Sequence, residues 1–124
     1  KVLIQEEYSY PINETLLQFP GGRIEKDETP EEAAKREMIE ESGIKILDPH
    51  IIGFFYPNNR RSASKVYLIE VNHSEVVQKI GGDNEEDIKT RWISISDFEK
   101  ILKDGKITNA SMLSGWALFK SHMK

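Results

Sequence analysis

Cysteine is absent from the 124 residues. Disulfides, thiolate metal sites and a cysteine nucleophile are therefore excluded. A reducing compartment is permitted by that absence, and cytoplasmic residence is the expectation. Long apolar runs are also missing. No stretch reaches the length that spans a bilayer, and no signal-peptide pattern opens the chain. Positive charge is in deficit, with 17 basic against 21 acidic residues and a net charge of −4. That balance argues against non-specific nucleic-acid binding, while leaving a nucleotide substrate open. An initiator methionine is lacking too. The chain enters a strand-like run directly after Lys1, so an N-terminal element preceding it is expected. What remains has ordinary apolar and charged fractions and suits one domain over residues 1–124.

Local signals give a coarse map. The run VLIQEEYSY reads as a strand, PINE as a turn and LLQF as a short strand stopped by Pro20-Gly21-Gly22. RIEKDE reads as a loop or short strand. A helix follows, with Thr29 as N-cap, Pro30 at the first position, Glu32 completing a capping box and Gly43 as a left-handed stop. HIIGFFY and SKVYLIEV read as strands joined by a polar turn, and TRWISI as another. Gly81 to Asp87 is a glycine-rich acidic loop. Ser96 and Glu99 suggest a capping box opening a second helix. A terminal helix begins near Asn109, with Met112, Leu113, Trp116, Ala117 and Phe119 as its buried face. Strands and helices mix without regular alternation. The expected class is α+β, an α/β/α sandwich with a mixed sheet between helices.

The first helix poses a question. A helix advances about 100° per residue, which sets Glu41 at about +40° and Glu40 at about −60° from Glu37. Three carboxylates thus share one sector, where like charges repel. Ala33 and Ala34 flank them, Met38 begins an apolar side, and Lys35, Ser42 and Glu31 suit the solvent side. Two readings compete. One is a solvated acidic face relieved by salt. The other is a site for a hard divalent cation, which takes oxygen ligands.

Spacing separates the two. Gly22, five residues, Glu28, seven residues, then Arg36-Glu37-Met38-Ile39-Glu40-Glu41-Ser42-Gly43-Ile44 resembles the Nudix box at every fixed position. The resemblance implies the Nudix fold and a pyrophosphohydrolase using Mg²⁺ or Mn²⁺. It implies Glu37, Glu40 and Glu41 as catalytic metal ligands, with the Gly21 carbonyl as a further ligand. Arg36 is read mainly as an ion-pair partner for the carboxylates or Glu28, with phosphate contact as the alternative. Gly22 and Gly43 are read as turn residues.

Beyond the box, LLQFPGGRIE, FFYPNNRRSASKVYLIEV and DGKITNA together look like the ADP-ribose pyrophosphatase branch. That implies hydrolysis of ADP-ribose or a related nucleoside diphosphate sugar to a nucleoside monophosphate and a sugar phosphate. It also implies a homodimer. Glu86 is matched to a ligand supplied by the late acidic loop, with Glu85 and Asp83 as further candidates for the general base. The Gln-x-Arg of that branch is missing from Glu7-Tyr8-Ser9-Tyr10, so Arg60 and Arg61 are candidate phosphate contacts. Tyr8, Tyr10, Phe54 and Tyr56 have two readings: stacking on a base, or the commoner fate of strand aromatics, the core. Triphosphate house-cleaning, removal of pyrophosphate from RNA 5′ ends, and a non-catalytic nucleotide-sugar sensor stay open as alternatives.

Overall fold

The computed structural model describes residues 1–77 and 88–123. Its elements run β1 (Val2–Ser9), β2 (Glu14–Gln18), α1 (Pro30–Ser42), β3 (Ile44–Phe55), β4 (Val66–Val76), β5 (Ile88–Ile93), α2 (Ile95–Lys103) and α3 (Ala110–His122). The α+β class is as the sequence implies. Among the described residues the strands form two sheets, β2-β1-β5 and β3-β4. Every pairing in them is antiparallel. The β3–β4 register shifts between Ile51 and Gly53, a bulge that bends the ribbon.

Strand β1 is central to the first sheet, and its alternation divides the molecule. Ile4 is fully buried and belongs to the core with Phe98, Ile107, Met112 and Trp116. Phe98 from α2 lies between two aromatic neighbours, 4.1 Å from the Trp116 ring and 5.7 Å from the Phe19 ring, centroid to centroid. Such pairs add to simple area burial. Gln5 and Glu7 project from the opposite face of β1 by the two-residue period.

Three expectations are corrected. The buried line of α3 runs through Met112, Gly115 and Trp116, while Leu113 is 41% exposed and Ala117 is also exposed. The reason is Gly115. A Cβ there would meet the Phe19 ring at 3.1 Å and Leu68 at 3.3 Å. The bare backbone therefore approaches both sheets, and the contact line follows i, i+3, i+4, i+7 from Met112. Leu118 makes the matching approach onto Gly53, 3.2 Å from where its Cβ would stand. Strands β3 and β4 also extend further than their apolar runs suggest, because Gly43 turns α1 directly into β3 and its carbonyl accepts from Val77 N–H at 3.0 Å. Finally, α2 starts earlier. Ser94, not Ser96, is the N-cap, its hydroxyl accepting from Asp97 N–H at 3.0 Å.

The two serines differ in what they hold, which fixes their expected effects. Ser94→Ala should cost about 1 kcal/mol. Ser96→Ala, on the exposed first turn, should stay within about 0.5 kcal/mol. Denaturant unfolding of both variants checks this, and equal costs would contradict the assigned cap.

Candidate active site

Helix α1 begins as its sequence predicts. The Thr29 hydroxyl accepts from Glu32 N–H at 3.1 Å, and the Glu32 carboxylate accepts from Thr29 N–H at 2.8 Å. It ends at Gly43, whose φ of 65° lies in the left-handed region and whose N–H bonds back to Ile39 and Met38 carbonyls. Between these caps the helix turns one side toward the chain at Gly21 to Glu28. Ala33 is buried there, Lys35 is exposed, and Glu31 and Ser42 are half-buried, not fully on the solvent side as expected. The Ser42 hydroxyl is buried without a partner among the described residues.

Arg36 organises this side. Its Nε and Nη2 donate to the two oxygens of Glu28 at 2.7 and 3.0 Å, a bidentate pair. Nη1 donates to Glu37 at 2.9 Å and to Glu40 at 3.2 Å. Nη2 also donates to the Arg23 carbonyl at 2.8 Å, and Glu25 lies 3.1 Å from Nε. One guanidinium thus ties the loop before α1 to the helix. The Glu28 carboxylate also accepts from Glu25 N–H at 2.9 Å, closing that loop on itself. Its hydrogen bond from Arg36 holds Glu28 below the ordinary carboxylate range, and the same bond raises Arg36 further.

Glu41 lies beyond Arg36's reach. One oxygen accepts from Gly21 N–H at 3.2 Å. Burial pushes its carboxyl up to about 7, and the negative charges of Glu37 and Glu7 push the same way, against the Gly21 bond. Glu37 meanwhile fills the space over Gly22. A Cβ on Gly22 would stand 2.3 Å from that carboxylate, so a side chain there would push the Glu37 carboxylate aside, and the bare glycine lets it stay. This refines the expectation that Gly22 serves a turn.

Of the expected metal ligands, Glu37 and Glu41 are brought together, while Glu40 is drawn to Arg36. Among the described residues no three acidic or histidine side chains converge as they would around an ion. The donor chemistry nevertheless fits a hard divalent cation: oxygen atoms only, and adjacent carboxylates in mutual repulsion. For Gly21 the contact seen is made by its N–H, not its carbonyl. Glu85, Glu86 and Asp83 lie outside the described residues. Arg60 and Arg61 are exposed on the turn between β3 and β4, where the Asn58 carbonyl accepts from Arg61 and Ser62 N–H groups. Phe54 and Tyr56 are not core: they are 46% and 47% exposed, with the Lys65 ammonium 4.7 Å from the Phe54 ring centre.

Tyr8 lies on a cleft of about 570 Å³ at the β1–β2 hairpin, walled also by Tyr10, Leu16, Gln18 and Asn109. The Tyr8 and Tyr10 rings meet edge to face at 4.8 Å. Glu7 lines the same cleft and accepts a hydrogen bond from the Gln18 side-chain amide. Sequence reading passed over Glu7 and Gln18. Their signal was available only through strand pairing, which sets Gln5 opposite Gln18 and Glu7 opposite Leu16 on one face.

With this geometry in view, the relatives are informative. The family model described as NUDIX domain matches residues 1–114. Diphosphoinositol polyphosphate phosphohydrolase 2 of Rattus norvegicus is 31% identical over 113 residues, covering 91% of this chain and 60% of the relative. ADP-ribose pyrophosphatase of Bacillus subtilis is 27% identical over 112 residues, covering 89% and 60%. The chain thus spans 60% of the length of each of these relatives. Among solved structures, an ADP compounds hydrolase matches with a TM-score of 0.78 at 22% identity, over 96% of this chain and 64% of the other. A MutT structure matches with a TM-score of 0.59 at 23% identity, over 79% and 71%. The two structures show the fold.

The raised Glu41 carboxyl has a consequence for stability. Its folded value, about 7, exceeds the ordinary 4.5. Between those values the folded chain keeps a proton that the unfolded chain has released, so stability falls as pH rises through that window. Metal-free protein should lose melting temperature from pH 5 to pH 8. Glu41→Gln, which cannot ionise, should flatten that loss. Parallel curves for the two proteins would show that Glu41 is not the cause.

Proposed function

The chain belongs to the NUDIX family, and from that premise we propose that it is a pyrophosphohydrolase acting on a nucleoside diphosphate linked to another group. ADP-ribose or a related nucleoside diphosphate sugar is the substrate class favoured. The observation that carries the reading is the pair of half-buried carboxylates, Glu37 and Glu41, fixed against the Gly21-Gly22 turn. A pyrophosphate shields itself with negative charge. Glu37, Glu40 and Glu41, with the Gly21 carbonyl and Glu86, would hold a divalent Mg²⁺ or Mn²⁺, which would supply charge neutralisation and lower the pKa of a bound water.

The chain's own residues prepare the site for that chemistry. Arg36 fixes the rotamers of Glu37 and Glu40, and its partner Glu28 fixes Arg36. Gly21 N–H holds one Glu41 oxygen and leaves the other available. The net reaction adds water across one P–O–P bond: the water oxygen joins one phosphorus, the bridging oxygen leaves with the other phosphate, and a proton is released to a base. Glu85, Glu86 and Asp83 are the candidates for that base.

The Tyr8–Tyr10 cleft supports a substrate with a planar base, since aromatic rings and amides together suit one. A second reading is favoured by a different observation. Arg60, Arg61 and Lys65 are exposed on one turn, and a 31% identical relative is named for diphosphoinositol polyphosphates. A polyphosphorylated substrate without a base would use that turn. The smaller proposals follow the family: one domain over residues 1–124, a homodimer, and a cytoplasmic setting. No helix of the described residues is long and apolar enough to cross a membrane.

The test is phosphate-coupled hydrolysis with Mg²⁺, with Mn²⁺ and with chelator. The panel holds ADP-ribose, nucleoside diphosphate sugars, a diphosphoinositol polyphosphate and oxidised dGTP. Turnover of ADP-ribose should require the metal and fall roughly 100-fold or more in Glu41→Gln. Turnover of the inositol compound alone would move the reading to the polyphosphate class. Ligand binding without turnover of any compound would leave a sensor.

A further inference from the structure

The β3–β4 ribbon has two unlike faces. Gly53 lies against Leu118 of α3, whose side chain is 3.2 Å from where a glycine Cβ would stand. Phe54, the next residue, therefore projects to the opposite face, where it is paired with Tyr67. The Phe54 ring lies 5.8 Å from the Tyr56 ring and 6.0 Å from the Tyr67 ring, centroid to centroid. Three aromatic rings thus form one patch, and Phe54 and Tyr56 stay 46% and 47% exposed. Exposed apolar patches rimmed by polar groups mark interaction sites. The Tyr8–Tyr10 cleft is a different place, lined from the β1–β2 hairpin and Asn109.

Charge is segregated onto the same end of the ribbon. Residues 54–69 hold Arg60, Arg61 and Lys65 and no acidic residue, in a chain of net charge −4. Glu70, the first acid after Lys65, sits opposite His50 and pairs with it at 2.8 Å, on the face away from Tyr67. The Lys65 ammonium stands 4.7 Å from the centre of the Phe54 ring and 5.9 Å from that of Tyr56, so cation and ring faces adjoin. A polyphosphate without a base would use the cations and leave the rings idle. A neutral apolar partner would use the rings and leave the cations idle. A nucleotide uses both, through a base that stacks and a phosphate that pairs. We propose that this end of the ribbon is a second nucleotide site, with the base on Phe54 and Tyr56 and the phosphate held by Arg60, Arg61 and Lys65. A phosphate that draws the Lys65 ammonium outward also frees the ring faces for the base. The site binds without cleaving, so it goes beyond the hydrolytic reading and stands without it. A free nucleotide and the terminal nucleotide of a single strand share this chemistry.

Photolabelling with 8-azido-AMP, with chelator present and the labelled peptides mapped by mass spectrometry, tests this. Label should appear within residues 54–67 of the wild type. Phe54→Leu/Tyr56→Leu, which keeps apolar side chains and removes the stack, should lower it at least fivefold, since stacking on an aromatic ring carries roughly that much or more per base. Arg60→Gln/Arg61→Gln should lower it in the same direction. AMP should compete at least tenfold better than ribose 5-phosphate or tripolyphosphate. Label confined to the Tyr8–Tyr10 peptide would overturn the proposal, as would tripolyphosphate competing as well as AMP. Label within twofold of wild type in both folded double variants would overturn it too; if the aromatic double variant fails to fold, the arginine variant decides alone. Single-stranded hexa-adenylate separates the sources. Competition tenfold stronger than by AMP, weakening as salt is added, supports a strand end at this site, and equal competition supports a free nucleotide. Hydrolysis is read separately, with metal. Ribbon label without turnover of any panel compound would sink the functional reading alone, and turnover of ADP-ribose without ribbon label would sink this proposal alone.

Discussion

One guanidinium sets the terms for everything around the acid helix. Arg36 faces four carboxylates and a carbonyl, and its planar fork suits such multiple donation better than a lysine would. It offsets the repulsion that Glu37 and Glu40 would otherwise bring to α1. It also fixes the loop from Arg23 to Glu28 against the helix, without an apolar core beneath that loop. Exposed ion pairs contribute little one at a time. Here the pairs share one cation and two of the carboxylates are well shielded, Glu28 at 16% and Glu37 at 15% exposure. Such a network resists the loss of any one contact.

What Arg36 leaves out defines the site. Glu41 is one helical turn past Glu37, close enough to feel its charge and outside the reach of the guanidinium. The result is a division of labour among residues of one type. Glu28, Glu25, Glu37 and Glu40 are neutralised within the chain. Glu41 accepts from the Gly21 backbone N–H, in a place where its charge is disfavoured. Perturbed carboxyls of this kind mark candidate functional sites because the cost serves no structural purpose. Here the cost comes from burial first and neighbouring charge second.

Much of α1 was legible because its signals are local. Thr29, Pro30, Glu32 and Gly43 each act within one helical turn, and each lies where the sequence indicates. The acid sector is legible for the same reason: a helix converts spacing into angle without outside help. The direction of Arg36 was half legible. Its charge and place in the helix foretold an ion pair, but its breadth depends on a loop that folds back. Glu7 and Gln18 were illegible as a pair. They are 11 apart in sequence and meet only through the β1–β2 register. The α3 face misled for a different reason. Leu113 and Ala117 are apolar and near the right phase, yet Gly115 wins the interface because close approach needs no side chain. Phe54 and Tyr56 misled because aromatics on strands usually find a second layer; here they find Lys65 and solvent.

Strand β1 explains how an acid site of this kind is tolerated. Its alternation sends Ile4 into the aromatic core and sends Gln5 and Glu7 to the opposite face. The two faces serve opposite ends. The Ile4 face buries apolar surface with Phe98, Met112 and Trp116 and stabilises the fold. On the opposite face the Gln18 amide bonds the Glu7 carboxylate. A slip of one residue in the β1–β2 register would exchange them, burying Glu7 among aromatics and turning Ile4 away from the core. The register is therefore held twice, by core packing on one face and by the Gln18–Glu7 contact on the other. Stability and chemistry are separated by the thickness of a single strand, so acid residues can be changed on one face without excavating the core on the other.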